Sequence, residues 1–423
     1  MVRQNKLFTS IYVAGTALAI ATTMIMAIVY YVKIAPVYPE VNRDHTFYIT
    51  TSRFVNKQTG SANQWAFSFQ AVKEWFYTLK NVKAVSAEIT SWENSDYVQP
   101  FDGSGDFPVI KKPTDPGFFQ IYQFRFIEGK TFSEADWKSG IRSAVISDAL
   151  ARRIFGTDHG LVGKIFKLNY MDYRIAGVVK GASVLTGKSF AQVYVPYSSE
   201  ANYDRKGGLT YYGAYAITVL TDSNEQDVAM RKEISELVHK YNTSQDDWEL
   251  KLKNQPRSHI LSVFQPFVGD DFSWKDVICH YFIVLLVLLL VPALNLSGMI
   301  AGRMETRLSE MGIRKSFGAH RAGLLSQIMW ENLILTLAGG LLGLVLAWTA
   351  LVTCREWVFS LFEEYPNVPL DGVATEVSGE MLLAPSIFAA ALLLCVVLNL
   401  LSALIPAWHS LRNPIIQSLN EKR

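Results

Sequence analysis

Cysteine is scarce in this sequence: 423 residues hold three, Cys279, Cys354 and Cys395. None falls between Lys33 and Ile278, so a domain built there must hold by its own apolar core, without disulfides. A bias of charge is missing too. Forty Lys and Arg against 38 Asp and Glu leave a formal +2, the basic residues are spread along the chain, and no nucleic-acid patch stands out. The seven histidines, at 45, 159, 239, 259, 280, 320 and 409, lack metal-ligand spacing. No pattern pairs a Ser or Cys nucleophile with a base. Asp246-Asp247 and Asp270-Asp271 read as solvated pairs rather than catalytic carboxylates. The chain is therefore not expected to be an enzyme, nor to hold a metal or cofactor.

Charge is absent altogether from four long windows. Leu7 to Val32, Tyr281 to Gly302 and Leu333 to Cys354 contain no charged side chain, and Met381 to Leu411 contains only His409 as a titrating base. Each exceeds the ~20 residues that cross a hydrocarbon core of ~30 Å. Buried helices of soluble proteins rarely lack a polar stripe over such a length. The first window follows Arg3 and Lys6, as a secretory signal would, but its apolar run is too long and leads into Tyr30-Tyr31-Val32-Lys33 rather than a small-residue cleavage site. It reads as a retained anchor. Transmembrane helices are expected at 7–32, 279–302, 327–354 and 384–408, with Pro292 kinking the second.

Lysine and arginine near helix ends set the orientation. Arg303, Arg307, Arg314, Lys315 and Arg321 lie between the second and third windows, whereas 355–380 carries six acids against Arg355 alone. The N-terminus and the tail 409–423 are also basic. Both termini and the loop 303–322 are therefore expected in the cytoplasm, with 33–278 and 355–380 outside.

The outside segment alternates strand and helix patterns. Thr46 to Thr50 reads as a strand, Phe67 to Leu79 as a helix and Ala84 to Ile89 as a strand, while the Gly/Pro-rich stretch Gln99 to Gly117 reads as a loop. Ala144-Val145-Ile146 is a short strand, followed by a helix capped by Ser147 or Asp148 and ended by Gly156. Phe166 to Leu168, Tyr173 to Val179 and Gln192 to Val195 suit strands, the first two joined through Asn169 to Asp172. A strand at 214–220, a helix at 224–241 and a strand at 248–252 close the segment. The economical arrangement is one α+β subdomain in two halves, ~45–112 and ~210–256, flanking a β-rich insert at ~113–209.

Two motifs invite nucleotide binding, and neither supports it. Ala182-Ser-Val-Leu-Thr-Gly-Lys-Ser189 fits a relaxed phosphate loop, but that chemistry needs a helix starting at Lys188-Ser189, and Phe190 to Val195 is strand-like. It reads as a surface loop. Leu296-Ser297-Gly298 sits inside a membrane window, where an ATPase signature has no role.

The informative segment is Glu310-Met-Gly-Ile-Arg-Lys-Ser-Phe-Gly-Ala-His-Arg321. Positive-inside bias explains its basic residues, but not the interval from Gly312 to Gly318 bracketing Ile313 and Phe317, apolar residues four apart as on one helix face. A short amphipathic helix on the membrane surface, or seated in a cytoplasmic partner, fits better. Glu331 is an acid near a membrane segment, either functional there or paired with a base of the loop. Gly339, Gly340 and Gly343 form a small-residue face suited to helix packing and dimer contact.

These residues resemble the FtsX-like/MacB-like permeases of ABC transporters of the mechanotransmission type. Arg303 through Glu310-Met-Gly-Ile-Arg-Lys-Ser-Phe-Gly-Ala-His-Arg321, Glu331 and the Gly339 to Gly343 run look like the family's loop "R…E-[IM]-G-[IV]-R-[RK]-x-[LF]-G-A" and its following helix. Pro406 to Leu419 looks like the closing segment. Phe126-Ile-Glu-Gly-Lys-Thr-Phe132, Ala144 to Gly156, Gly163-Lys164 and Ala176-Gly-Val-Val179 resemble stretches of the MacB-like core domain. The resemblance implies a dimeric permease, homo- or heteromeric, in a bacterial inner membrane. It implies four helices per chain and a separate cytoplasmic ATPase docking on Arg303, Arg307, Glu310, Gly312, Arg314, Lys315, Gly318, Ala319 and Arg321. ATP and magnesium would be bound by that ATPase. Its closure would move the outside domain, for export or extraction of a substrate or activation of an outside partner. A membrane-tethered ligand sensor without an ATPase is the alternative, and a surface-anchored hydrolase lacks its nucleophile and base.

Overall fold

The computed structural model describes residues 6–90, 96–100, 105–205, 210–265, 273–279, 282–283, 313–314, 316–354, 357 and 385–412. The expected second membrane helix with Pro292, the loop residues Arg303, Arg307, Glu310, Gly312 and Lys315, and the acidic loop 355–380 fall almost wholly outside that set. The chain divides into two units: one joins 1–31 to 273–364 and 379–423, the other holds 32–272 and 365–378.

Among the described residues three long helices contribute to the first unit: α1 (Lys6–Ile34), α8 (Arg321–Thr353) and α9 (Pro385–Arg412). Among the described residues two stretches are long and apolar enough to cross a membrane, Thr9–Ile34 and Ala322–Thr353. Small residues let these helices approach closely, since lipid supplies no hydrophobic drive for association and close packing must. A Cβ on Gly339 would lie 2.8 Å from Thr16 Cβ, and one on Gly343 would lie 2.6 Å from the Ala17 carbonyl oxygen. One on Gly340 would meet Leu392 of α9 at 2.5 Å. The glycine face is thus occupied by helices of the same chain. Tyr12 and Thr336 add a hydroxyl contact of 3.2 Å between α1 and α8.

Among the described residues the second unit has two sheets. The first contains β1 (Thr46–Ile49), β2 (Ser52–Asn56), β3 (Ala62–Phe67), β4 (Ala84–Ile89), β13 (Tyr212–Gly213), β14 (Tyr215–Leu220), β15 (Trp248–Lys251) and β16 (Arg257–Ser258). Its order is β15-β2-β3-β14-β1-β16, with β4 also on β14 and β13 on β3. Between β3 and β4 lies a short helix, α2 (Phe69–Ala71), continued by a wider π-type turn through Phe76. The long α6 (Asn224–Ser244), capped by the Ser223 hydroxyl, packs Met230 and Ile234 into this sheet's core.

The second sheet is inserted between β4 and β13. It comprises β5 (Asp96–Gln99), β6 (Phe107–Val109), β7 (Lys111–Thr114), β8 (Phe126–Gly129), β9 (Ser143–Ser147), β10 (Ile165–Leu168), β11 (Met171–Val179) and β12 (Val193–Pro196). The order is β6-β5-β10-β11-β9-β12-β7, with β8 on β11. α5 (Asp148–Phe155) follows β9, capped by Ser147 and ended by Gly156 at φ 70°, a left-handed value that glycine adopts without strain.

Two expectations need correction here. The stretch from Gln99 to Gly117 is not a loop, because it holds β6 and β7. The sheets also part between Ile89 and Asp96, not near residue 112. Pro108 and Pro113 disguised these strands; β6 and β7 are the two ends of the sheet order, where a missing N–H can go unpaired.

A shared core joins the sheets, in which Ala84 and Leu220 of the first meet Phe118, Phe132, Val145 and Tyr194 of the second region. Polar ties cross the same seam. Lys112 Nζ lies 2.8 Å from Glu88 Oε2. Asp115, just past β7, is 2% exposed and accepts from the amides of Ala87 at 2.8 Å and Phe118 at 3.1 Å, and from the Tyr77 hydroxyl. Burial pushes its carboxyl up to about 6, against which the bonds from Tyr77, Ala87, Ser86 and Phe118 work.

Because that value lies above the unfolded one, protonated Asp115 favours folding. Its contribution is whole below pH ~3.8 and is lost as pH rises towards 6. Asp115→Asn is predicted to flatten the pH dependence of thermal unfolding across that window, read by intrinsic fluorescence of the full chain in lipid nanodiscs. An unchanged slope would contradict it. In the membrane unit, Gly343→Leu should lower the unfolding temperature by several degrees by driving α1 from α8, whereas Gly323→Leu, with no atom within 4 Å of the added Cβ, should not.

Candidate functional site

Two places hold the chemistry, one in each unit. The first is the turn before α8. Phe317 N donates to Ile313 O at 3.1 Å and Ala319 N to Arg314 O at 3.0 Å, closing a single helical turn. Gly318 ends it at φ 89°, and His320 then starts α8, its carbonyl accepting from Leu324 N at 3.2 Å. Ile313 and Phe317, four residues apart, are 49% and 88% exposed. Arg314 Nη1 donates to Gln327 Oε1 at 2.9 Å, and Gln327 Nε2 donates to Glu331 Oε1 at 3.4 Å. The structure thus links Glu331 to a loop cation through Gln327, one α-helical turn away. Gly318 and Ala319 lie in the turn, and Arg321 opens α8. Gly339, Gly340 and Gly343 lie further along that helix.

The second place was not singled out from the sequence. α1 ends at Ile34, leaving carbonyls without intrahelical donors. Arg43 supplies them: its Nη1 lies 2.6 Å from both Val32 O and Ala35 O, while Nε and Nη2 hold Glu40 Oε2 at 2.9 and 2.8 Å. Glu40 Oε1 accepts from the Ser189 amide and hydroxyl, both at 2.9 Å. The guanidinium and carboxylate are each buried. Burial alone would raise the Glu40 carboxyl; the Arg43 charge and the bonds from Arg43 and Ser189 outweigh it and hold the value below the ordinary one. A cation at a helix C-terminus also complements the helix dipole.

His259 completes the grip. Its Nε2 lies 2.9 Å from Lys33 O, which only accepts, so Nε2 carries the proton and Nδ1 accepts from the Tyr48 hydroxyl at 3.0 Å. Burial, then the Arg43 charge, lowers this imidazole to about 4, and it is neutral at physiological pH.

The phosphate-loop-like stretch ends in this cluster. Ala182, Ser183, Leu185, Thr186 and Ser189 are buried, so the segment is not the surface loop expected of it. No helix begins at Lys188-Ser189, and the Ser189 amide that phosphate would need is bonded to Glu40. Lys188 instead lies 4.8 Å from the centre of the Tyr48 ring. A Glu40 and Arg43 pair just beyond an anchor helix is a signal that could have been read; Ser189 and His259 come from too far along the chain.

Two known domain families match the chain. Residues 9–237 match the MacB-like periplasmic core domain and residues 282–415 the FtsX-like permease C-terminal domain. The chain belongs to the MacB-like and FtsX-like ABC transporter permeases: it is a membrane protein with an α+β extracytoplasmic domain. Among its relatives is the uncharacterised ABC transporter permease YknZ of Bacillus subtilis, 22% identical over 269 residues, 63% of this chain and 62% of YknZ. The pyoverdine export ATP-binding/permease protein PvdT of Pseudomonas syringae is 24% identical over 55% of this chain and 34% of its own. The macrolide export ATP-binding/permease protein MacB of Photorhabdus laumondii is 24% identical over 58% and 36%. The match therefore spans under two thirds of YknZ and about a third of the fused proteins. The solved extracellular domain of YknZ covers 48% of this chain at 19% identity and TM-score 0.33, and the periplasmic region of MacB from Actinobacillus actinomycetemcomitans covers 48% at 17% and 0.33.

Removing Arg43 alone strands a buried carboxylate and two orphan carbonyls. Arg43→Ala is predicted to cost about 3–5 kcal/mol of stability. Arg43→Met with Glu40→Gln should recover a large part of it. Chemical denaturation of the full chain checks this, and equal losses in the single and double variants would contradict the ion-pair account.

Proposed function

We propose that this chain is the transmembrane subunit of an ABC transporter that passes the motion of a separate cytoplasmic ATPase to its extracytoplasmic domain. Export or extraction of a substrate, or activation of a partner outside, would follow from that motion. In this reading the chain crosses the bilayer four times with both termini inside, and the extracytoplasmic domain is inserted between the first two crossings. It works as a dimer with a second permease. ATP and magnesium sit on the ATPase.

The observation that carries the reading is the turn at 313–320, an exposed apolar pair beside a cation hydrogen-bonded along α8 to Glu331. An exposed Phe at a tight turn gives a partner something to bury. Displacing Arg314 would pull on Gln327, and so on the helix that packs against α1. The grip of Arg43 and His259 on the end of α1 supports the second half, since a helix so held must move with its domain.

Arg314→Glu with Lys315→Glu, or Phe317→Asp alone, should weaken co-purification of the co-expressed ATPase by about tenfold or more. The unfolding temperature of the extracytoplasmic domain should stay unchanged. Wild-type recruitment by both variants would overturn the docking assignment. Mass spectrometry that finds no ATPase bound to the wild-type chain would favour a tethered sensor.

A further inference from the structure

A cleft of about 730 Å³ opens along the seam between the two sheets, in the size range of small-molecule sites and at the kind of subdomain junction where they form. One wall comes from the Phe69 to Phe76 helix and the segment after β12; the other comes from α4 (Glu134–Lys138) and the residues past β7. Five aromatic rings line it: Phe69, Tyr77, Trp137, Tyr197 and Tyr203. They already contact one another edge to face, with Phe69 and Tyr203 centred 5.3 Å apart and Trp137 and Tyr197 5.5 Å apart. The walls are therefore held in place before a ligand arrives.

The floor is rich in acceptors. Tyr77 donates its hydroxyl proton to Asp115, and the Tyr197 and Tyr77 hydroxyl oxygens are 3.0 Å apart. With Tyr77 committed to Asp115, Tyr197 donates to Tyr77, so both phenol protons point inward towards the carboxylate. Unused oxygen lone pairs remain, together with the negative faces of the rings and a buried anion behind them. The cleft's two lysines, Lys73 and Lys138, sit at its exposed rim, and Lys138 is engaged by Glu134 at 3.1 Å. A flat apolar body carrying a hydrogen-bond-donating cation matches the ring walls and the hydroxyl and carboxylate oxygens of the floor better than an anion does.

We propose that this cleft is a binding site for an aromatic amine, its ring packed among Phe69, Trp137 and Tyr203 and its ammonium directed at the Tyr197–Tyr77–Asp115 relay. A ligand there touches both sheets and so ties their separation to occupancy. The inference stands whether or not the chain recruits an ATPase.

The test uses the full chain in lipid nanodiscs and calorimetric titration with tryptamine, its neutral analogue tryptophol and its anionic analogue indole-3-acetate. Tryptamine should bind saturably, tryptophol about tenfold more weakly and indole-3-acetate more weakly still. Gln120 is exposed at the rim, so its replacement leaves the core intact. Gln120→Trp should abolish tryptamine binding by filling the mouth, and Gln120→Lys should weaken tryptamine while strengthening indole-3-acetate. Asp115→Asn should bring tryptamine and tryptophol close to equal affinity. Equal binding of all three compounds, tryptamine binding that survives Gln120→Trp, or no saturation by tryptamine would each overturn the proposal.

Discussion

The second unit depends on how one helix end is closed. α1 delivers unpaired carbonyls at the point where the chain leaves its apolar helix, and a buried guanidinium 11 residues after Val32 takes two of them. Arg43 can sit there only because Glu40 neutralises it, and Glu40 tolerates burial only because Ser189 and Arg43 satisfy both its oxygens. Removing any one member leaves a charge or a lone pair in the interior without compensation. Three stretches far apart in sequence, 32–43, 186–189 and 257–259, are thereby fixed to one another, and both sheets contribute to the arrangement.

The seam between the sheets follows a similar logic on a smaller scale. Its apolar contacts are large aromatic and aliphatic groups, which give cohesion without direction. Asp115 adds direction, since it accepts from an amide of β4, an amide on its own side and a phenol of the first subdomain. A carboxylate in that position costs burial energy, but it fixes where the two halves meet and leaves an open cleft beside them.

What could be read from the sequence divides along physical lines. The three described apolar helices were legible because lipid demands an uninterrupted run, and most strands of the inserted sheet because Val, Ile and Phe crowd them. β2 and β3 escaped notice because Ser52, Arg53, Asn56 and Asn63 break the alternation, and four of the six β3 residues face solvent. The motif around Arg314 was legible through its resemblance, residue by residue, to the family's loop. The cluster at the end of α1 was not, because its members matter only through contacts made after folding. The 182–189 stretch shows the limit best: its Ser, Thr and Gly suggested a solvent loop, yet its hydroxyls are buried and bonded to neighbouring backbone or to Glu40.

The grip on α1 has one more consequence. Successive residues of a helix point about 100° apart around its axis, so carbonyls 32 and 33 of its last turn, held by Arg43 and His259, are fastened on different sides rather than along one line, and carbonyl 35 is held just past the helix end. A rod pinned along a single line can slip or roll in its socket. One held by two side chains from different sides is fixed in rotation as well as in depth, so residues 32–35 keep a single orientation within the second unit.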